Sequence, residues 1–157
     1  MAAYTRQFGL GSPTGIDLPG ETAGLVPDPD WKQRAKKEPW LLGDTYNMVI
    51  GQGDVLASPI QMVAMLSAVV NGGELLRPQI VKEVLDADGR VVRPFKKEVV
   101  RRVDVSPANL AVVREGMREA VRWGTATEAQ VPGVESAGKT GTAEFGALDP
   151  RTGQFPT

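Results

Sequence analysis

The sequence predicts an α+β domain in which an antiparallel sheet is flanked by helices. Three features support this fold class: helix-forming segments that open with a Ser-Pro pair, one β-hairpin signature, and no regular alternation of strands with helices. Such an alternation is needed for a parallel, doubly wound sheet. Since many functions share one fold class, the prediction of function rests on individual segments and motifs.

Two helices are predicted by a serine that is followed directly by proline. Serine caps a helix N-terminus, and proline is favoured in the first turn. One helix runs from Ser58 to Val70, and its apolar side chains cover nearly the whole circumference, which predicts a buried central helix. The other begins at Ser106 and ends near Gly124, and its charged face is interpreted as a solvated surface. The opening MAAYTRQFGLG predicts the end of a further helix, whose beginning is expected before Met1.

A hairpin is predicted by the segment IVKEVLDADGRVVRPF, in which two alternating β-branched runs flank residues 86–89. Asp86 and Asp88 are interpreted as turn formers rather than metal ligands, because no further ligands complete an oxygen cage. Residues Gly11 to Leu42 are rich in Pro, Gly and Asp, and this Pro- and Gly-rich segment is predicted to form turns and extended pieces that lie over a core. Trp31 and Trp40 are its predicted anchors.

Composition excludes several classes of chemistry. The 157 residues include neither histidine nor cysteine, so a Ser-His-Asp triad, a thiol nucleophile, haem ligation and the usual zinc sites cannot be built within the chain. The net charge of −1, from 18 basic and 19 acidic residues in mixed order, argues against nucleic acid or an anionic membrane surface as partner. No apolar run is long enough to span a bilayer, and neither a cofactor nor a metal is predicted.

The stretch GVESAGKTGTAEF matches three catalytic signatures, and one lysine cannot serve all of them. Gly133 to Thr140 fits the phosphate loop G-x-x-x-x-G-K-[ST]. Ser136 and Lys139 fit the S-x-x-K of acyl-serine enzymes. Lys139 to Gly141 spells K-T-G, the strand element that faces the nucleophile in those same enzymes.

The flanking residues decide against the first two signatures. A phosphate loop follows a buried strand and opens a helix, whereas the polar TATEAQVP precedes this one and Gly141 follows it. An S-x-x-K pair needs a helix to bring the lysine beside the serine, but the residues around Ser136 are poor helix formers. K-T-G requires only an extended segment, which this stretch can supply. We therefore predict that K-T-G is the functional motif.

Each residue of K-T-G, and the threonine after it, then has a predicted role. Lys139 supplies a positive charge for a substrate carboxylate and for proton relay, while Thr140 and Thr142 supply hydroxyls for the same carboxylate. Gly141 has no side chain and lets a ligand lie close along the strand. The N–H of Thr142 is a predicted oxyanion-hole donor. Lys139 and Thr142 are thus candidate catalytic residues, and all four are candidate substrate-binding residues.

Six short motifs occur in a definite order along the chain. They are Phe8-Gly9-Leu10-Gly11, Thr14 to Glu21, Gly43-Asp44-Thr45, Ile50 to Gly53, Ser58 to Gln61, and Lys139 to Ala143. This succession resembles that of the penicillin-binding transpeptidases, and most closely the class B, elongation-type enzymes called penicillin-binding protein 2. The resemblance extends over essentially the whole chain, and the order of the motifs makes it specific.

The resemblance implies a peptidoglycan D,D-transpeptidase. In that family a serine on the S-x-x-K helix attacks the D-Ala-D-Ala end of a stem peptide and releases D-alanine. An amine from a neighbouring strand then resolves the acyl-enzyme into a cross-link, and β-lactams imitate the dipeptide and trap the serine. The resemblance also implies a membrane-anchored parent on the periplasmic side of the bacterial cytoplasmic membrane, paired with a membrane glycosyltransferase of the elongation machinery.

The chain departs from the family pattern in what it lacks. It contains no helical S-x-x-K and no S-x-N, so both are expected before Met1, and the last strands of the sheet are expected after Thr157. Residues 1–157 are therefore interpreted as part of a transpeptidase domain that is inactive alone. Two alternatives stay open: a β-lactam sensor or serine β-lactamase-like domain of the same fold, and, with less support, a nucleotide-binding phosphate-loop protein.

Overall fold

A computed structural model of the protein describes residues 1–141. Over this range the chain forms helices and short strands in two compact units, Met1–Ala111 and a second that begins at Val112. The predicted α+β class is confirmed. In chain order the elements are α1 (Ala2–Gln7), α2 (Pro29–Lys36), α3 (Leu42–Val49), α4 (Pro59–Val70), β1 (Glu74–Leu76), β2 (Glu83–Leu85), β3 (Val91–Pro94), β4 (Val99–Arg102), α5 (Pro107–Arg122) and a 3-10 turn (Thr127–Ala129).

The described strands form two antiparallel pairs. β1 pairs with β4, and β2 pairs with β3. The second pair is the predicted hairpin. Its turn is made by Asp86, whose carboxylate accepts hydrogen bonds from the backbone N–H groups of Asp88 (2.9 Å) and Arg90 (2.8 Å). Asp86 is therefore a turn former, as predicted, and Asp88 pairs with the guanidinium of Arg90 at 2.9 Å.

Both predicted Ser-Pro helices begin where expected. In α4 the Ser58 hydroxyl accepts from the N–H of Gln61 (3.4 Å), and the Gln61 side-chain oxygen accepts from the N–H of Ser58 (2.8 Å), which closes a capping box. In α5 the Ser106 hydroxyl accepts from the N–H of Asn109 (3.2 Å). The helix predicted near the start of the chain is α1, which ends two residues before Gly9.

α4 is buried on one side only, so the prediction of a helix buried all round is wrong for the described chain. Ala64 and Ala68 pack against Leu75 of β1, with Phe8 beside them. Other apolar side chains of the helix face outward, and Val63 is 57% exposed within the part of the chain that the structure describes. The reason is that hydrophobic periodicity reports which side chains are apolar and says nothing about which elements cover them.

A second group of buried side chains lies under the Pro- and Gly-rich segment. Leu10, Val26 and Met48 form its centre, and Trp40 packs against them. The indole N–H of Trp40 also donates to the Thr45 hydroxyl at 2.8 Å, so this predicted anchor is confirmed. The other predicted anchor, Trp31 on α2, is half-buried like Trp40 but lies outside this group.

Gln61 holds the Pro- and Gly-rich segment against α4. Its side chain is fully buried, with 0% exposure. The amide nitrogen donates to the backbone carbonyls of Ser12 (2.8 Å) and Ala23 (2.9 Å), while the oxygen serves the capping box. Leu25 and Leu56 add reciprocal backbone hydrogen bonds of 2.7 and 2.9 Å. The segment thus covers a core, as the sequence predicted.

Gly24→Ala is expected to lower the free energy of unfolding by about 2–4 kcal/mol. Gly24 has a φ of +62°, and a β-carbon there would overlap the carbonyl oxygen of Leu56 and come within 3.1 Å of Gln61 Oε1. Gly20→Ala is the matched control, because Gly20 has a φ of +82° and no described atom lies within 4 Å of the added carbon. We expect the control to cost about 1 kcal/mol. Urea unfolding measures both losses, and equal losses would show that the close approach at Gly24 has no energetic effect.

An ion pair between Lys32 and Asp44 joins α2 to α3, and the lysine of the pair is buried. Lys32 is 5% exposed, and its ammonium contacts the two carboxylate oxygens of Asp44 at 3.0 and 2.7 Å, with Glu38 at 3.6 Å. Asp44 also accepts the backbone N–H of Leu41 at 2.6 Å, where α3 begins. The Lys32 ammonium, followed by the Leu41 N–H, holds the pKa of the Asp44 carboxyl below its usual range, and Asp44 in turn raises the pKa of Lys32.

Asp44→Asn is expected to weaken the dependence of the melting temperature on pH in the acid range. Because the folded pKa of Asp44 is lowered, its carboxylate stabilises the fold above the unfolded pKa of about 3.9, and this contribution is lost as the pH falls through the folded pKa. The variant lacks this contribution, so it melts lower at neutral pH and loses less on acidification. Thermal unfolding from about pH 2 to pH 7 tests this, with the exposed Asp30→Asn as control. If the melting temperature falls equally steeply with decreasing pH in wild type and in Asp44→Asn, the expectation is contradicted.

Candidate functional site

The chain leaves α5 through a turn that binds the end of the helix. The side-chain nitrogen of Gln130 donates to the carbonyls of Val121 (2.8 Å) and Arg122 (2.9 Å), and the N–H of Ala126 donates to the carbonyl of Ala120 (2.9 Å). These bonds satisfy carbonyl groups that have no partner within the helix. The turn thereby directs the following residues back along α5.

Residues 135–141 form neither a helix nor a paired strand within the described chain. The hydroxyl of Ser136 donates to the carbonyl of Ala129 at 3.2 Å, while the ammonium of Lys139 contacts Thr140. The two side chains of the S-x-x-K match therefore have different partners. A phosphate loop would require a helix to begin here, and no helix begins between Lys139 and Gly141. The segment is irregular, and the extended strand that K-T-G predicts is not observed in the described residues.

Charge and one backbone hydrogen bond hold this segment against α5. The carboxylate of Glu135 contacts the guanidinium groups of Arg118 and Arg122, the latter at 2.6 Å. The N–H of Gly138 donates to the carbonyl of Met117 at 3.0 Å. Arg118, with Arg122, holds the pKa of the Glu135 carboxyl below its usual range, and Glu135 raises the pKa of Arg118. The bridge is therefore fully charged at neutral pH.

Lys139 and Thr140 lie together on the surface. The Lys139 ammonium contacts the backbone carbonyl of Thr140 at 2.6 Å and lies 3.5 Å from its hydroxyl. The Thr140 hydroxyl is also 3.2 Å from the hydroxyl of Thr125. Among residues 1–141, Lys139 is bonded to no carboxylate. An exposed ammonium with a hydroxyl beside it is suited to bind the carboxylate of an external ligand.

The structure thus brings together Lys139 and Thr140 of the four predicted site residues. Gly141 follows them on the surface, and among the described residues nothing lies within 4 Å of where a β-carbon would be. Thr142 lies outside the described residues. Its hydroxyl contact and its oxyanion-hole N–H stay predictions.

Sequence reasoning missed the residues that hold the segment. Arg118 and Arg122 were interpreted as part of a solvated surface, and both are indeed partly exposed, but they also bind Glu135. Thr125 belonged to no motif. The only available signal was the i, i+4 spacing of the two arginines, which places them on one face of α5.

Residues 1–155 match the protein family described as the penicillin binding protein transpeptidase domain. The chain belongs to this family. Its relatives place it among the class B penicillin-binding proteins, as the order of its motifs predicted. The K-T-G motif is therefore read in the context of these enzymes, and the phosphate-loop alternative is not favoured.

Two curated relatives illustrate the similarity of this penicillin-binding protein segment. The peptidoglycan D,D-transpeptidase MrdA of Acinetobacter baumannii is 34% identical over 148 residues, covering 94% of this chain and 22% of that protein. Penicillin-binding protein PbpB of Mycobacterium tuberculosis is 38% identical over 148 residues, covering 88% of this chain and 20% of that protein. The chain thus spans about a fifth of the length of these relatives.

Solved structures of penicillin-binding proteins share the fold. Penicillin binding protein 3 of Mycobacterium tuberculosis, in complex with aztreonam, superimposes with a TM-score of 0.74 at 36% identity, covering 98% of this chain and 33% of that one. PBP2 of Helicobacter pylori, in complex with MreC, gives a TM-score of 0.70 at 32% identity, covering 89% of this chain and 25% of that one. Among the described residues, no helix has the length and apolar character needed to cross a bilayer.

Proposed function

We propose that the chain is a segment of the transpeptidase domain of a peptidoglycan D,D-transpeptidase, and that its part in the reaction is to bind the substrate carboxylate. The observation that carries this proposal is the exposed K-T-G segment, in which the Lys139 ammonium and the Thr140 hydroxyl lie side by side with no carboxylate bonded to Lys139 among residues 1–141. The family match over residues 1–155 supports it.

The proposed reaction divides the chemistry between this segment and a serine elsewhere in the protein. The serine oxygen attacks the carbonyl carbon of the penultimate D-alanine, and the terminal D-alanine leaves as the amine after it has accepted a proton. An acceptor amine then attacks the acyl ester, which forms the cross-link and returns the serine. Lys139, Thr140 and Thr142 hold the terminal carboxylate during the first step, and the N–H of Thr142 stabilises the oxyanion.

The same proposal extends to the setting of the protein. Similarity to MrdA proteins favours an elongation-type enzyme, with the transpeptidase domain on the periplasmic side of the cytoplasmic membrane. A glycosyltransferase that extends glycan strands is the proposed partner, because cross-linking consumes the strands that such an enzyme produces. The Helicobacter pylori relative is known in complex with MreC, so a partner of that kind is a second proposed contact.

A β-lactam sensor or a serine β-lactamase would use the same strand residues. Cross-linking of stem peptides separates a transpeptidase from a non-catalytic sensor, and the rate of deacylation separates it from a β-lactamase. A transpeptidase holds the penicilloyl ester, whereas a β-lactamase hydrolyses it rapidly. A nucleotide-binding protein would instead show Mg²⁺-dependent binding of ATP that requires Lys139.

The 157-residue chain is expected to form no covalent adduct with a labelled penicillin, whereas the longer protein that contains it forms one adduct per molecule. The reason is that no helical S-x-x-K occurs in the sequence, so no serine in the chain has the lysine it needs beside it. Intact-mass spectrometry measures the adduct. A stoichiometric adduct on the chain that disappears in Ser136→Ala would place the nucleophile within these residues and contradict the proposal.

A further inference from the structure

Glu135 lies four residues before Lys139 and is not one of the K-T-G residues. Its two carboxylate oxygens are divided between two guanidinium groups: Oε1 lies 2.6 Å from Arg122, and Oε2 contacts Arg118. The two arginines are one helical turn apart on α5, so the carboxylate spans a turn of the helix. Such a two-point contact fixes the direction of the Glu135 side chain as well as its distance from the helix.

A second tie lies three residues further along. The N–H of Gly138 donates to the carbonyl of Met117, the residue before Arg118, at 3.0 Å. Residues 135–138 are therefore attached to the same stretch of α5 at both ends. Because each peptide unit is planar, a short segment that is fixed at both ends keeps little rotational freedom. Lys139 follows directly and leaves the helix in the direction that these two ties set.

Among the described residues, removing the Glu135 bridge would leave the segment with two exposed side-chain hydrogen bonds, Ser136 to Ala129 and Thr140 to Thr125, and with the backbone tie at Gly138. The segment could then turn about that tie. A turn of about 20° displaces an ammonium about 6 Å from its own Cα by about 2 Å. Displacements of about 1 Å in a binding group reduce reaction rates by up to about 100-fold, so a shift of this size at Lys139 is expected to be visible in catalysis.

The bridge contributes little to global stability, which makes a local effect separable from unfolding. The side chains of Glu135, Arg118 and Arg122 are 51%, 40% and 48% exposed. Ion pairs between exposed side chains are screened by water and salt, and most have a small effect on the free energy of unfolding. A defect in Glu135 variants is therefore expected in the reaction and not in the melting temperature.

We propose that Glu135 is a positioning residue for recognition of the substrate carboxylate. By bridging Arg118 and Arg122 it sets the direction in which Lys139 and Thr140 are presented. This inference rests on the proposed function of the K-T-G segment. Glu135 itself contacts arginines of α5 and not the reacting atoms, so its effect is exerted through Lys139.

The test compares Glu135→Gln with a matched control, Glu128→Gln, in the full-length protein. Glu128 is an exposed glutamate on the 3-10 turn of the same unit. Each protein is acylated by benzylpenicillin and by its methyl ester, and stopped-flow measurement gives the acylation rate at saturation. We expect Glu135→Gln to slow acylation by the free acid about tenfold and acylation by the ester less than about twofold, because the ester offers no carboxylate to Lys139. The acylation rates of Glu128→Gln and the melting temperatures of both variants are expected to equal those of the wild-type protein.

The outcomes separate this inference from the proposed function. Equal losses for the acid and the ester in Glu135→Gln would overturn the positioning role and leave the proposed function in place. If the wild-type protein does not distinguish the acid from the ester, Lys139 does not recognise a carboxylate, and both proposals fail.

A double-mutant cycle gives a second measurement. The variant with both Arg118→Gln and Arg122→Gln is expected to lose as much rate with the acid as Glu135→Gln does. Adding Glu135→Gln to that variant is expected to cost nothing more, since the bridge is already broken. Additive losses would show that the glutamate and the arginines act independently, and they would overturn the inference.

Discussion

Replacing Lys139 with alanine in the full-length protein is expected to slow acylation by a β-lactam about 10²- to 10³-fold. The ammonium is exposed and bonded to no carboxylate among residues 1–141, and under the proposed function its charge serves the ligand carboxylate and the proton transfer that accompanies attack. Its loss removes an interaction that strengthens as charge develops in the transition state. Stopped-flow acylation with one β-lactam over a range of concentrations separates weaker binding from a slower chemical step.

Lys96→Ala is the matched control for Lys139→Ala. Lys96 is an exposed lysine between β3 and β4, in the other compact unit, so the same change in net charge is made outside the K-T-G motif. We expect it to acylate at the wild-type rate. If Lys139→Ala retains more than about a tenth of the wild-type rate while remaining folded, the assigned role of the ammonium is wrong.

Gln61→Leu is expected to lower the free energy of unfolding by about 2–4 kcal/mol. Leucine is close to glutamine in size but cannot donate to the carbonyls of Ser12 and Ala23 or accept from the N–H of Ser58. Because Gln61 is 0% exposed, these groups lose their partner where water has little access. Urea unfolding of the purified chain, followed by circular dichroism, measures the loss.

Gln33→Leu provides the control for Gln61→Leu, since Gln33 is exposed on α2. We expect a change within about 0.5 kcal/mol, as for most surface substitutions. Comparable stability of Gln61→Leu and wild type would mean that the two carbonyls find other partners, and that the glutamine does not hold the Pro- and Gly-rich segment in place.

The features that the sequence predicted correctly are those determined within a few residues. The predicted N-cap at Ser58 accepts from the N–H three residues further on, and the hairpin turn at Asp86 uses N–H groups two and four residues further on. Residues 136–141 were predicted to be non-helical from their glycines and threonine, and they are, while their extended strand stays a prediction. In each case the physical cause and the sequence signal lie in the same short stretch.

The features that escaped prediction join distant residues. Lys32 and Asp44 are 12 positions apart, and Glu135 is 17 and 13 positions from Arg118 and Arg122. No periodicity relates such pairs, and a charged residue in isolation is most often a solvated one. Their pairing depends on how elements pack, which spacing alone does not specify.

The partners of Gln61 also carry information about the order in which the chain folds. Its bonds to Ser12 and Ala23 close loops of 49 and 38 residues, whereas its bond to Ser58 is local. Long loops cost more conformational entropy to close, so the local cap can form early, while docking of the Pro- and Gly-rich segment waits until α4 exists as a surface. The segment should accordingly be the first part of this unit to open on the unfolding pathway, with α4 persisting beneath it.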